Sequence, residues 1–586
     1  MKTQTRTHAN RIITIQGPNT PVSAQWLPGA VTAFAVLVLG NPSPLQGQTL
    51  RGYVPPITAN LQPIGHLEAT NHLNLAIGVP LRDPAGLASF LEQIYDPTNP
   101  NFRHYVTPAQ FTESFGPTEQ DYQAVISFAN AAGLVVTETY PNRMLVDVSG
   151  TVADIERAFH LNLLLYQHPT EARTFYAPDV NPSVPLTLPL LDIIGLDNYG
   201  LPHSSPVLQP GAGPSPCGGS APDGFNYMGY DFRHAYAPNV PQTGTGETVG
   251  LLAFSGFNPT RISDYRAACQ PPLPYVPLET VTIDGFDTNT INDHALEIER
   301  DIEMVISMAP GLSKVIVYEA TNGMTGGIHI LNRMANDNAA RALCTSSSWS
   351  GMAASADHVL MQMAAQGQSF FAASGDFGAF SDCNADMYPV PDWDPYACVV
   401  GGTTLTMYSN GVSYVSETVW SYQGGGSGGG ISTVWPIPSW QTNINMSANQ
   451  GSTTMRNIPD VAMVANFIYV FDEYLPQGGE ASGTSLAAPL WAGFAALVNQ
   501  YALANQCFPL GFPNPAIYAA GKSSSYTNYF HDVTTGNNIM CSPGLFPAVS
   551  GYDLCTGWGS PAGMNLIRAL AVPRAIQPPP PSRPGP

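Results

Sequence analysis

Apolar residues along this chain fall into short runs separated by stretches of helical spacing, and the two patterns alternate. Between about residues 66 and 200 they predict one α/β unit. Ala69–Val79 reads as a strand, and Asp83–Tyr95 as a helix with Pro84 in its first turn. Thr118–Ala132 has helical spacing, Met144–Val148 alternates as a strand, and Val152–Phe159 is again helical. Periodicity then stops. Ser204–Asp223 (SSPVLQPGAGPSPCGGSAPD) is rich in Pro, Gly and Ser, the composition of an exposed linker. From about residue 245 short apolar runs return, among them Thr248–Phe254, Val315–Tyr318, Ser369–Ala373 and Ala397–Val400, alternating with helices. That pattern predicts a mostly parallel sheet flanked by helices. Gln577–Pro586 is Pro-rich with no evident packing role.

At 586 residues the chain exceeds one ordinary core, which predicts two or more domains. Charged residues are 11% of it, against about 25% in an ordinary soluble protein. Carboxylates outnumber Lys and Arg 42 to 21, the net charge is −21, and the only lysines are Lys2, Lys314 and Lys522. With no basic patch, nucleic acid and an anionic membrane are excluded as partners. In acid the carboxylates protonate, the net charge moves toward zero and few ion pairs are lost, which suits an acidic workplace. Ala30–Gly40 (AVTAFAVLVLG) follows Lys2, Arg6 and Arg11. Eleven residues are too few to span a bilayer and suit a signal-peptide core, so secretion is expected and stable membrane insertion is not. All eight cysteines follow residue 200, and disulfides are permitted in an exported protein. No CxxC or Cys/His cluster points to zinc.

The sharpest local signal is Ser482-Gly483-Thr484-Ser485-Leu486-Ala487-Ala488-Pro489, running into the apolar helix Leu490–Val498. A small-residue turn at a helix N-terminus exposes a hydroxyl among free backbone N–H groups, although an N-cap alone would look the same. A serine nucleophile needs a base. Neither His294 nor His329, the nearest histidine candidates, lies in a setting that would supply one. Instead Glu297-Ile298-Glu299-Arg300-Asp301 lies in the helical run His294–Met308. Glu297 and Asp301 are four apart, so both carboxyls share one helix face, where a shared proton relieves their repulsion. Ala373-Ser374-Gly375-Asp376 places a third carboxyl at the end of a predicted sheet strand, where a protonated Asp376 could donate to a developing oxyanion. Gly424–Gly430 (GGGSGGG) lacks a following Gly-Lys-Ser/Thr; it reads as a glycine strand that lets a peptide backbone approach.

The order Glu-x-x-x-Asp, Ser-Gly-Asp, Gly-Thr-Ser-x-x-x-Pro resembles the sedolisin family of serine-carboxyl peptidases. Trp349, Gly401-Gly402-Thr403, Glu417-Thr418-Val419-Trp420, Gly428-Gly429-Gly430-Ile431-Ser432, Pro438-Ser439-Trp440-Gln441 and Pro459-Asp460-Val461-Ala462 extend the match over residues 64–567. The resemblance implies an α/β fold: a subtilisin-like catalytic domain with a mostly parallel sheet flanked by helices, preceded by a smaller α/β prodomain. It divides the chain into a leader or signal region at 1–50, an activation prodomain at 51–203 and a linker with the processing site at 204–223. A peptidase domain at 224–572 and a Pro-rich tail at 573–586 follow. It implies Ser485 as nucleophile, Glu297 as general base, Asp301 as its proton-sharing partner and Asp376 as oxyanion stabiliser, with Glu299 and Trp349 extending the network. A carboxyl base suits acid, since an imidazole with pKa about 6.5 is protonated near pH 4. The resemblance also implies one structural Ca²⁺ held by Asp532, Asp553 and the carbonyls of Val533, Val549 and Gly551, with Val549 standing where glycine is usual. The expected protein is a secreted, monomeric, self-processing zymogen, inhibited by its own prodomain and cleaving proteins or peptides as an endopeptidase. A tripeptidyl exopeptidase and a non-catalytic secreted binding protein are the alternatives.

Overall fold

Local chemistry sets the first helices. Asp83 accepts the N–H of Gly86 and caps the helix Pro84–Tyr95; Thr118 and Thr151 cap Glu119–Ala132 and Val152–Phe159 in the same way. These three starts lie within one residue of the sequence-based expectation. The computed structural model describes residues 47–202, 207–208, 218–350, 354–380, 389–391, 393–408, 411–422, 424–539 and 546–573. The signal-type segment Ala30–Gly40, most of the linker, Cys541 and the Pro-rich tail lie outside the described residues.

In the N-terminal region four antiparallel strands lie in the order Val135–Thr139, Leu145–Thr151, His72–Gly78 and Ile193–Ile194. Strand alternation gives this sheet two jobs. Leu75, Ile77, Val146 and Val148 pack against Tyr122, Val125, Ile155 and Phe159 of the two helices. Ala76 and Leu145 face the other way, into a core shared with Ile330, Leu331 and Leu360 of the C-terminal region.

That larger region is built on a sheet ordered Leu278–Thr282, Lys314–Glu319, Thr248–Ala253, Ala342–Thr345, Ser369–Ala373, Cys398–Met407, Tyr414–Val419. Val461–Val464 pairs with Cys398–Met407 as well. All neighbours are parallel except Tyr414–Val419. The expected strand at Ala397–Val400 therefore starts one residue later and continues to Met407. Helices Ala295–Met308 and Thr484–Ala504 cover one face; Met324–Asp337 and Ala354–Gln366 cover the other and receive the N-terminal region. Thr484–Ala504 is long and apolar enough to cross a membrane, yet most of it is buried in the core.

Polar contacts reinforce the docking. Asn142 donates to Asn332 and Gln362 at 2.6 and 2.9 Å, fully enclosed, and Arg103 donates to the carbonyls of Phe508, Pro509 and Leu570. Cys269, Cys344, Cys398, Cys507 and Cys555 are buried free thiols, so no disulfide forms among the described cysteines.

Candidate active site

The helix Ala295–Met308 is buried at every position, including Glu297, Glu299, Arg300, Asp301 and Glu303. A solvated acidic face is thereby excluded. Thr484–Ala504 packs beside it, and Gly493 permits the close approach: a Cβ there would lie 2.8 Å from that of Met308. Glu297 occupies the first turn of its helix, where the backbone dipole favours a carboxylate, and it faces the Ser485 hydroxyl. No aligned hydrogen bond closes between Glu297 and Ser485.

Pro489 accounts for part of the Gly-Thr-Ser-x-x-x-Pro signature. Lacking an N–H, it leaves the Ser485 carbonyl without its helical donor. Ser346 Oγ takes that place, 3.0 Å from the Ser485 carbonyl and 2.7 Å from Asp301 Oδ1. Ser346 thereby ties the Asp301 carboxyl to the backbone of the nucleophile. Burial pushes the pKa of Asp301 well above the carboxylate range and the charge of Glu297 adds to it, whereas Ser346 and Arg300 pull it back. Glu297 is raised by burial too, and is restrained by Arg300 and the Ser485 hydroxyl. Ser346 was not singled out from the sequence, because a lone serine in a Ser-rich stretch carries no signal.

Asp376 follows the central strand Ser369–Ala373. Its Oδ1 accepts the Thr484 N–H at 2.7 Å and the Thr484 hydroxyl at 2.8 Å. Burial raises its pKa to about 7 against those two donors, so below neutrality it carries a proton. With Oδ1 occupied by donors, the proton belongs on Oδ2. The place that Oδ2 faces is marked by Gly483: a Cβ built there would lie 2.9 Å from both Asp376 Oδ2 and Ser485 Oγ. Only glycine fits there, and its missing side chain lets the hydroxyl and the carboxylic acid flank one backbone position. The Gly425–Pro436 strand lines up parallel to Phe377–Ala379, with Gly428 so close to Ser374 that a Cβ would fall 1.9 Å from its carbonyl oxygen.

Two expectations are corrected. Glu299 does not join this network; it accepts the N–H groups of Asn258 and Glu473 at 2.8 and 3.0 Å, on the far side of its helix. Trp349 contributes a buried aromatic edge against Phe254, 6.1 Å between ring centres, and fills the space above Gly327. The histidines stay outside as expected: His294 contacts Asn322, and His329 sits between Asp147 and Asp284.

Residues 59–199 match the family described as "Pro-kumamolisin, activation domain". Kumamolisin of a Bacillus species is 30% identical over 82% of this chain and 88% of its own length. The chain belongs to the sedolisin family. Sedolisin of a Pseudomonas species is 29% identical over 91% of this chain and 94% of its own length. The solved structure of Pseudomonas sedolisin, a serine-carboxyl proteinase complexed with two molecules of pseudo-iodotyrostatin, superposes with a TM-score of 0.51 at 28% identity. It covers 59% of this chain and 98% of that one. This sedolisin-family chain is accordingly a serine-type peptidase with an activation domain, the composition of a zymogen.

Two places bear on metal. Asp532 accepts the Ser550 hydroxyl at 3.1 Å and the Gly551 N–H, and Asp553 Oδ2 accepts the Val549 N–H at 3.0 Å. Both carboxyls thus converge on the turn 549–551, and no salt bridge reaches either among the described residues. Asp553 is fully buried and its pKa is raised to about 7. Two acidic groups without a cation, beside a turn offering carbonyls, fit an oxygen-liganded ion. Asp147, Asp284 and His329 also cluster, but do not fit one. Asp147 lies 3.0 Å from Nε2 and Asp284 2.6 Å from Nδ1, on opposite edges of the ring. Burial opposes a charge on the ring, yet the two carboxylates outweigh it and raise the histidine pKa to about 10. The cluster is an ion-paired clamp between the activation domain and the peptidase region.

Proposed function

We propose that this protein is a secreted, acid-active endopeptidase in which Ser485 attacks the scissile carbonyl and Glu297 takes its proton. Asp301, held by Ser346, shares a proton with Glu297, and neutral Asp376 donates to the oxyanion. The observation that carries this reading is that the Ser485 hydroxyl and Asp376 Oδ2 flank the same residue, Gly483, each 2.9 Å from where its Cβ would be. A carbonyl attacked by Ser485 would therefore have the oxyanion donor close by.

The test is the pH dependence of kcat/KM on a peptide substrate. The dyad must release a proton to act as base, whereas Asp376 must keep one. The rate should therefore climb as the Glu297–Asp301 pair ionises and fall as pH rises through about 7, where Asp376 loses its proton. A rate that keeps rising through neutrality, as with an imidazole base, would sink the assignment.

Self-processing is part of the proposal. The linker backbone at Val207 and Leu208 pairs antiparallel with Ser482 and Ala481, three and four residues before the nucleophile, and this extended pairing supports the reading. Endopeptidase action is proposed over tripeptide release because the relatives named tripeptidyl-peptidase 1 match over only 36% of the chain.

A structural Ca²⁺ held by Asp532, Asp553 and the carbonyls of Val533, Val549 and Gly551 completes the proposal. Bound there, the ion would supply the cation that buried Asp553 lacks. Without it, the raised pKa of Asp553 means that the fold favours the protonated acid. That stability is fully present below the ordinary value of 3.8 and is lost as pH rises through about 7. Chelation should accordingly lower Tm by at least about 3 °C at neutral pH and by much less near pH 4. An equal or absent shift at both would remove the calcium assignment.

A further inference from the structure

Arg300 lies three residues after Glu297 and one before Asp301, and its side chain is fully buried. Its Nε donates to Asp472 Oδ2 at 2.8 Å, and a second guanidinium nitrogen lies 2.7 Å from the same oxygen; Asp472 is equally buried. Asp472 Oδ1 accepts the N–H groups of Tyr474 and Leu475 at 2.9 and 2.8 Å. On either side, Glu303 accepts the Phe471 N–H and Glu299 that of Glu473. Three side chains of one helix thus fasten residues 471–475. That loop leads into the strand Gly479–Ser482 and so to Ser485.

The anchoring by Glu299 and Glu303 needs no cation, so a buried guanidinium calls for its own explanation, because such a group is expensive to hold. Its Nη1 has no hydrogen-bond partner, which leaves positive charge unconsumed next to the site. The charged and titratable groups around it are Glu297, Asp301 and Glu303 on its own helix, Asp472 on the loop, and Asp376 beyond the Ser369–Ala373 strand. Arg300 favours the ionised form of Glu297, Asp301, Glu303 and Asp376, and Asp472 opposes it at Glu297 and Glu303.

We propose that the buried Arg300–Asp472 pair is a positioning device that sets the acid range in which the Glu297–Asp301 dyad and Asp376 work. Arg300 touches no reacting atom; it acts through the carboxyls beside it. The inference rests on the reading of Ser485, Glu297 and Asp376 given above.

The test compares kcat/KM against pH for the acid-activated wild type, the double variant R300M/D472N, D472N alone and R300K. Removing both charges should move both limbs of the profile upward by about half a pH unit, since the net field favouring ionisation is gone. D472N keeps the turn's acceptor oxygen but leaves the cation unopposed, so its ascending limb should move down. R300K keeps the charge and should leave the limbs in place. Opposite displacements cannot come from a loosened loop. Lowered rates with unmoved limbs would reduce the pair to a structural staple and overturn the inference. If the double variant does not fold, D472N decides alone: an ascending limb that stays or moves up overturns it. A wild type without an acid bell, or a Ser485→Ala variant that stays active, would overturn the site assignment itself, a result separable from the first.

Discussion

Replacing Ser485 by alanine is expected to lower kcat for peptide hydrolysis by about a millionfold, the scale seen when a serine peptidase loses its nucleophile. The large figure follows from how the site is divided. Among the described residues Glu297 and Asp301 have no other nucleophile to activate, since the hydroxyl of Ser485 is the group that Glu297 faces and the Thr484 hydroxyl is committed to Asp376. The substitution should leave the fold intact, because the Ser485 contact that matters for the helix is made by its backbone carbonyl with Ser346. The same variant should produce no shortened chain after an acid pulse, whereas the wild type should shed its activation domain, both read by mass spectrometry. Equal hydrolysis by the two proteins would mean that the activity does not run through this serine.

The second large effect is expected at Asp376. Alanine there removes the oxyanion donor beside Ser485 and should lower kcat by about a hundred- to a thousandfold. Asparagine is the sharper probe. Its carbonyl can keep the two hydrogen bonds from Thr484, leaving the amide N–H aimed where the carboxylic proton was, but with no proton to pass on. The rate should fall, and the descending limb of the pH profile should vanish, because an amide does not titrate as Asp376 does near 7. A descending limb that persists in Asp376→Asn would assign it to another group and remove Asp376 from the role of acid.

Ser485, Glu297, Asp301 and Asp376 could all be found in the sequence because each sits in a short signature that local chemistry explains. Pro489 frees a carbonyl, Gly483 is the only residue that fits between Asp376 and Ser485, and the spacing of four puts two carboxyls on one helix face. Helix starts were legible for the same reason, since Asp83, Thr118 and Thr151 cap their own helices. The length of Cys398–Met407 was not, because its second half is held by pairing with Tyr414–Val419 and Val461–Val464 rather than by its own pattern.

Taken alone, the amino-acid order determined the α/β class, the acidic character and the four catalytic candidates, all of which depend on periodicity or on residues a few positions apart. Only the tertiary structure decided what surrounds them. Ser346 reaches Asp301 and Ser485 across 45 and 139 positions of chain, and Asp472 neutralises Arg300 from 172 positions away. Glu299, expected to extend the network around the catalytic set, instead fastens a loop. The physical reason is that proton affinities are set by burial and by charges close in space, and neither is written in sequence neighbourhood.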